Sequence, residues 1–330
     1  MAQIESSYWH PVCDSRQVQE APFAAWLMDL PLVVWRDEDG VAHGLHDKCP
    51  HRGARLSLGR VCNGQLQCAY HGWKFNSQGG CTLIPALPHL SPTSAHQARP
   101  IAVREHMGLV WVCLDAANAE NAVWPAFEAE NNTHLRKINA GPYEVATSAP
   151  RIVENFLDMS HFSFVHDGWL GESSHCEIPE IELHEFDTGF KVTNAQVWQP
   201  NTSALSVQPG MVTYSYEVAH PYSAVLTKVP DAQSGVPAGY QESIIVLIQP
   251  LTPEQCRVWF RMAVADFEAE MEDLLAFQDK IFFQDKPVLE SQSPRQLPLT
   301  VGAEANVGSD KASAAYRRFL KKTGITFGVC

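Results

Sequence analysis

Two short runs each place one cysteine near one histidine: Cys49-Pro50-His51 and, after sixteen residues, Cys68-Ala69-Tyr70-His71. A thiolate from each run can ligate one iron, while an imidazole from each ligates a second. That His2Cys2 set is the ligand pattern of a Rieske [2Fe–2S] cluster, in which histidine replaces cysteine on one iron and raises the reduction potential. Two alternatives use the same residues. A structural Cys2His2 zinc site of the finger type pairs cysteine with cysteine and histidine with histidine, whereas these runs mix them. A Cys49–Cys68 disulfide requires an oxidising compartment.

A second constellation lies downstream, in Glu154-Asn155-Phe156-Leu157-Asp158-Met159-Ser160-His161-Phe162-Ser163-Phe164-Val165-His166. Two histidines and one carboxylate, with open positions left over, form the facial triad of non-haem Fe(II) oxygenases. The spacing sets a condition. In an unbroken α-helix His161 and His166 point about 140° apart, so they share a metal only where the helix widens or ends between them. Asp167-Gly168 is a stop signal just past His166, and π-bulges concentrate at functional sites. The four-residue zincin spacing with its intervening glutamate is absent, which disfavours a zinc protease. A pair of ordinary helix histidines is the alternative.

The third ligand is sought on a late helix, roughly Asp266 to Glu290, which offers Asp279 and Asp285. Met271, Leu274, Leu275, Ile281 and Phe282 form one apolar stripe on it. Asp285 falls within that stripe, and Asp279 sits toward its edge, about 120° away. A carboxylate aimed into a core is costly unless paired or metal-bound. Asp285 is therefore the expected ligand, with an ion pair to Lys286 or a nearby arginine as the alternative.

These groups need a scaffold. A chain of 330 residues predicts two domains. The first part reads as β: Pro31–Asp37 as a strand, Glu38-Asp39-Gly40 as a turn, Val41–Leu45 as the return and Gly108–Leu114 as a further strand. Polar Asp115–Asn121 marks a boundary, giving domains 1–115 and 116–330. The second part predicts one helix over Ala149–Val165. Strands follow at Ile181–Val197, Gly210–His220, Ser223–Val229, Glu242–Gln249 and Arg257–Val264, and then the late helix. Strands followed by helix, without βαβ alternation, predict an α+β fold with an antiparallel sheet.

Composition narrows the function. The net charge of −13 repels phosphate backbones and anionic lipid, so no nucleic-acid and no membrane partner is expected. No apolar run approaches the ~20 residues of a membrane span. The N-terminus lacks a secretory pattern, and the nine cysteines are odd in number and scattered. A cytoplasmic location is expected, with the remaining cysteines as buried or surface residues.

The chain resembles the α-subunits of the Rieske non-haem iron oxygenases over essentially its whole length. The motifs are CPHRGARLSLG (49–59), CAYHGWKF (68–75), the Asn155/Asp158/His161/His166 signature and QDKPVLESQ (284–292). The Tyr8–Val12 run and the last motif are similar to the trimeric monooxygenase branch, which includes N- and O-demethylases. HDGWLGE (166–172) and the closing YRRFLKKTGITFGVC (316–330) are similar to hydroxylases of saxitoxin biosynthesis. Respiratory Rieske proteins carry an extra cysteine in each loop, joined as a disulfide. Here those places hold Ala54 and Tyr70, so the cluster resembles the lower-potential oxygenase form.

The resemblance implies an N-terminal all-β Rieske domain and a C-terminal catalytic domain of helix-grip, START-like type with helices on one side of the sheet. It implies Cys49, His51, Cys68 and His71 as cluster ligands and His161, His166 and Asp285 as iron ligands. Asp158 would link a cluster histidine of one subunit to an iron-bound histidine of the next, within a homotrimer, and Asn155 would lie near the iron. Electrons would come from NAD(P)H only through a separate reductase or ferredoxin, since no Gly-rich dinucleotide fingerprint is present. O2 would be the co-substrate, and a small organic molecule, a guanidinium or another N-containing compound, would be hydroxylated or oxidatively demethylated. The rival readings are a cis-dihydroxylating dioxygenase and an electron-carrier Rieske protein.

Overall fold

A computed structural model describes residues 3–202, 208–236 and 239–330. The chain divides into two compact units, Met1–Trp124 and Pro125–Cys330.

The first unit is built from ten strands: β1 (His10–Asp14), β2 (Phe23–Leu27), β3 (Leu30–Arg36), β4 (Ala42–His46), β5 (Arg60–Cys62), β6 (Gln65–Gln67), β7 (Lys74–Phe75), β8 (Cys81–Leu83), β9 (Pro100–His106) and β10 (Leu109–Cys113). One sheet has the order β1-β10-β9-β4-β3-β2, and a smaller one runs β5-β6-β7-β8. The expected β3–β4 hairpin is present, with Gly40 at φ 78° closing its turn. The unit extends past the expected boundary at 115 because the following segment folds back on β1. The Trp9 N–H donates to the Val123 carbonyl at 3.1 Å, and Trp9 stacks on Trp124 at 4.6 Å.

The second unit carries an antiparallel sheet of order β11-β17-β16-β15-β14-β13-β12. Its strands are β11 (Arg136–Val145), β12 (Glu182–Phe186), β13 (Gly189–Gln199), β14 (Gly210–His220), β15 (Ser223–Pro230), β16 (Glu242–Thr252) and β17 (Gln255–Val264). Helices α1 (Ala149–Leu157), α3 (Met271–Ser291) and α4 (Lys311–Thr323) pack on this sheet. α1 lies over its centre, α3 over β11 and α4 over β12 and β13. The fold is α+β, as expected.

Five elements differ from the sequence expectation. The single helix over 149–165 is two: α1 ends at Leu157, and a one-turn α2 (Phe162–Val165) follows. The strand at 181–197 is the β12–β13 hairpin. Gly189 opens β13 where the β14 backbone comes close, and a Cβ there would lie 1.9 Å from the Val218 carbonyl oxygen. The late helix starts at Met271, because the Asp266 carboxylate accepts the N–H groups of Glu268 and Ala269, each at 2.9 Å, and holds a turn there. β11 was hidden by its internal Gly141-Pro142. An edge strand tolerates such a pair at a bulge, and the register shifts between Ala140 and Tyr143. Helix α4, left out of the strand-dominated reading, buries Ala312, Ala315, Tyr316, Phe319 and Leu320, a regular helical stripe.

Candidate metal centres

The two Cys/His loops of the first unit are built alike. The Cys49 N–H donates to the Ala54 carbonyl (2.8 Å) and the Gly53 N–H returns to the Cys49 carbonyl (2.9 Å). In the second loop Cys68 N–H reaches Trp73 (2.9 Å) and Gly72 N–H reaches Cys68 (3.1 Å). Gly53 and Gly72, each four residues after its cysteine, sit at φ 74° and 72°, a region that side chains other than glycine disfavour. These glycines escaped the sequence reading, although their equal offset from the cysteines was visible. Asp47 braces the first loop by accepting the Ser57 N–H (2.7 Å) and hydroxyl (2.6 Å).

The loops bring all four expected ligands together. Cys49 and Cys68 are each 2% exposed and pack with Trp35, Leu56, Leu66, Trp73 and Phe75. Burial, with the nearby Cys68 sulfur, pushes the Cys49 thiol up to about 11 against the pull of the His51 and Arg52 N–H groups. A coordinated metal reverses that balance and deprotonates the thiol. The His51 and His71 rings lie 4.4 Å apart, and His51 stacks on Trp73 at 4.6 Å. Burial, followed by the charges of His71 and Arg52, holds the His51 imidazole below its ordinary value, which favours the neutral, ligating form. Its Nδ1 is buried with no hydrogen-bond partner among the described residues. An orphaned imidazole nitrogen beside a second imidazole and two buried thiols fits a [2Fe–2S] cluster of Rieske type.

In the second unit the break after α1 meets the condition that the histidine spacing set. Asp158 leaves the helix in extended conformation (φ −86°, ψ 131°), and its carboxylate accepts the Ser160 N–H at 2.8 Å. That local turn competes with the helix. His161 and His166 then cap the two ends of α2, with ring centroids 5.0 Å apart.

Asp285 closes the group. Its Oδ1 lies 3.4 Å from His161 Nε2 and 3.2 Å from His166 Nε2, and ligand atoms of the three residues all lie within 4.8 Å of one another. Asp285 is 7% exposed, on the face of α3 that also buries Gln278, Ile281, Phe282 and Leu289. Asp279 is engaged elsewhere, accepting the Tyr143 hydroxyl at 2.5 Å, and Lys286 faces Glu290 at 3.9 Å.

The outer ring nitrogens are also held. His161 Nδ1 lies 3.2 Å from Asp158 Oδ2, and His166 Nδ1 lies 2.9 Å from Gln284 Oε1. Carbonyl and carboxylate oxygens accept, so each Nδ1 carries its proton and each Nε2 presents a lone pair inward. Burial raises the Asp158 carboxyl, but the hydrogen bond and charge of His161 and the Ser160 contact outweigh it and leave it below the ordinary value. Asn155 reaches Asp285 Oδ1 at 3.4 Å through Nδ2. Gln284 is the residue that sequence reasoning missed; its only signal was adjacency to Asp285. Two inward imidazoles, one carboxylate and hydrogen-bonded outer nitrogens fit a mononuclear Fe(II) with open positions.

A cavity of about 350 Å³ opens beside this group, bounded by Asn155, Asp158, His161 and Asp285. Its far wall is a balanced charge network. Glu304 joins Arg151 (2.6 Å) to Arg317 (2.5 Å), and Glu154 accepts from Arg317 at 2.7 Å.

Comparisons with known proteins match both units. Residues 8–96 match the model of the Rieske [2Fe-2S] domain, and residues 145–324 match the vanillate O-demethylase oxygenase C-terminal domain. The chain is 32% identical over 324 residues to methylxanthine N1-demethylase NdmA of Pseudomonas putida, covering 96% of this chain and 88% of the relative. It is 26% identical to a vanillate O-demethylase oxygenase subunit from a Pseudomonas species, covering 95% and 93%. The solved structure of Pseudomonas putida CBB5 NdmA with caffeine superposes with a TM-score of 0.84 at 29% identity, over 96% of this chain and 90% of that one.

Proposed function

The chain belongs to the Rieske non-haem iron oxygenases, and from that premise we propose which residues carry its chemistry and what they act on. As a member it is an oxidoreductase that holds a Rieske [2Fe–2S] cluster and a mononuclear iron, uses O2, and hydroxylates or oxidatively demethylates a small organic molecule. Unit Met1–Trp124 is assigned as the cluster domain and Pro125–Cys330 as the oxygenase domain. Cys49 and Cys68 would hold one iron of the cluster and His51 and His71 the other. His161, His166 and Asp285 would hold the mononuclear iron. When bound there, the cluster supplies single electrons and the iron activates oxygen.

The residues do the positioning. Asp158 and Gln284 fix the imidazole tautomers and aim both Nε2 atoms at one point. Asn155 restrains Asp285. Asp158 also lines the open cavity, where it can accept a hydrogen bond from His71 of another copy. The family resemblance implies a homotrimer as the working assembly, and a cavity-lining Asp158 carboxylate is compatible with electrons crossing between its subunits. A separate reductase or ferredoxin feeds the cluster, and NAD(P)H acts only through it. No helix among the described residues is long and apolar enough to cross a membrane. All nine cysteines are free, which supports a reducing, cytoplasmic location.

The reaction favoured is removal of an N- or O-methyl group. Hydroxylating a methyl carbon on nitrogen or oxygen, with O2, two electrons and two protons, gives water and an N- or O-hydroxymethyl product. That product sheds formaldehyde without further help. The observation that carries the reading is the convergence of two Nε2 atoms on one buried carboxylate, each opposite nitrogen hydrogen-bonded. Turnover of N-methyl and O-methyl substrates under ¹⁸O2, with a reductase, tests it. Formaldehyde released in step with O2 consumption, or label in a stable hydroxylated product, is the expected result. A cis-diol, or reduction without oxygen incorporation, would reject it.

A further inference from the structure

The inner face of the seven-stranded sheet carries more polar groups than a closed hydrophobic interior needs. Tyr214, Lys228 and Glu242 are register partners that form one row across β14, β15 and β16. Lys228 lies 3.5 Å from Glu242, with the two side chains 12% and 13% exposed, and the Tyr240 hydroxyl donates to Glu242. Burial lowers the lysine, but the Glu242 charge outweighs it and holds the ammonium above its ordinary value. The lysine therefore stays charged, and its charge is committed to the Glu242 carboxylate.

Gln199, at the end of β13, donates from Nε2 to the Leu170 carbonyl (3.2 Å) and to the Tyr214 hydroxyl (2.8 Å). The carbonyl fixes the amide orientation, since it can only accept. Both amide hydrogens are then used, and the buried Oε1 has no donor among the described residues. Tyr216 stacks on Tyr214 with ring centroids 6.0 Å apart. It is 1% exposed, and its hydroxyl also has no partner among the described residues. A buried, unpartnered polar group is destabilising, and folded proteins tolerate few of them. Burial raises both phenols, so both keep their protons as donors.

The cluster sits next to the iron-binding imidazoles. The Phe162 ring is 5.0 Å from His161 and 5.8 Å from Tyr214, so one aromatic ring contacts both groups.

We propose that Tyr216, with Gln199 and Tyr214, anchors the substrate, and that the substrate is a neutral, planar, N-alkyl heterocycle bearing a ring carbonyl. The proposal rests on the oxygenase reading above. The phenol O–H groups suit a carbonyl acceptor, and Gln199 Oε1 suits a ring N–H or a polarised C–H. A carboxylate substrate needs an uncommitted cation, and the cation of this wall is bound to Glu242. A guanidinium needs an uncommitted carboxylate, and Glu242 is bound to Lys228 and Tyr240.

The test is calorimetry on anaerobic, iron-loaded enzyme without turnover, using caffeine and N-methyl-2-pyridone as neutral probes, vanillate as the anion and N-methylguanidinium as the cation. At least one neutral probe binds more tightly than either ion. Tyr216→Phe weakens that binding about tenfold, leaves the iron and sulfide content unchanged, and leaves the melting temperature equal or higher, because it deletes an unpartnered hydroxyl. An ion binding more tightly, failure of both neutral probes, or unchanged affinity in Tyr216→Phe would overturn the proposal. Iron content and oxygen consumption report separately on the oxygenase reading, so the two failures are distinguishable.

Discussion

At the scale of single residues the site depends on which ring nitrogen of His161 and His166 carries the proton. Asp158 accepts from His161 Nδ1 at 3.2 Å while its own carboxylate borders the open cavity. Asp158→Asn keeps an acceptor for the imidazole but removes the charge. That variant should retain both metal sites and lose about tenfold or more of turnover. Metal analysis beside single-turnover kinetics checks it, and full activity would remove the bridging role. The proposed ligands could be picked out in the sequence because ligation restricts residue type and because a bare carboxylate in an apolar stripe, as at Asp285, is costly. Gln284 was not legible. An amide beside a ligand has no signature of its own until the fold turns it toward His166.

At the scale of elements, the helix break at Asp158 turns a five-residue histidine spacing into one site. The histidine spacing required a break, but the sequence could not place it, since Pro150 sits in the first turn and no proline or glycine lies between Arg151 and His166. A side-chain turn from Asp158 to Ser160 makes the break instead. The helices around it are tied by Glu304, which bridges Arg151 of α1 and Arg317 of α4. Burial raises the Glu304 carboxyl, but the two arginines outweigh it and hold it below its ordinary 4.5. A depressed carboxyl stabilises the fold above its unfolded value and loses that contribution as pH falls through the folded one. Glu304→Gln should therefore cost about 1–2 kcal/mol at neutral pH, allowing for partial exposure. The gap from the parent should close below pH 4.5 as Glu304 protonates. Urea denaturation at both pH values measures it, and a gap that persists in acid would contradict the ion-pair account.

At the scale of the whole molecule, the two proposed sites fall in different units, the Cys/His loops in one and the His161/His166/Asp285 group in the other. The fold class was readable from strand punctuation and the absence of βαβ alternation. The boundary was not, because the segment after residue 115 returns to β1 through a tryptophan stack that polarity alone conceals. If electrons cross between chains, two defective chains can complement each other. Co-expressed Cys68→Ala and His161→Ala chains should regain part of the activity that each lacks alone, and no recovery in a mixed trimer would contradict transfer between subunits. The central claim, one cluster and one mononuclear iron in each chain, is tested most directly by iron and acid-labile sulfide analysis of anaerobically purified protein, with EPR after dithionite reduction. About three irons and two sulfides per chain, with a reduced-Rieske signal, are predicted; zinc without sulfide, or two irons that added Fe(II) fails to raise to three, would contradict it.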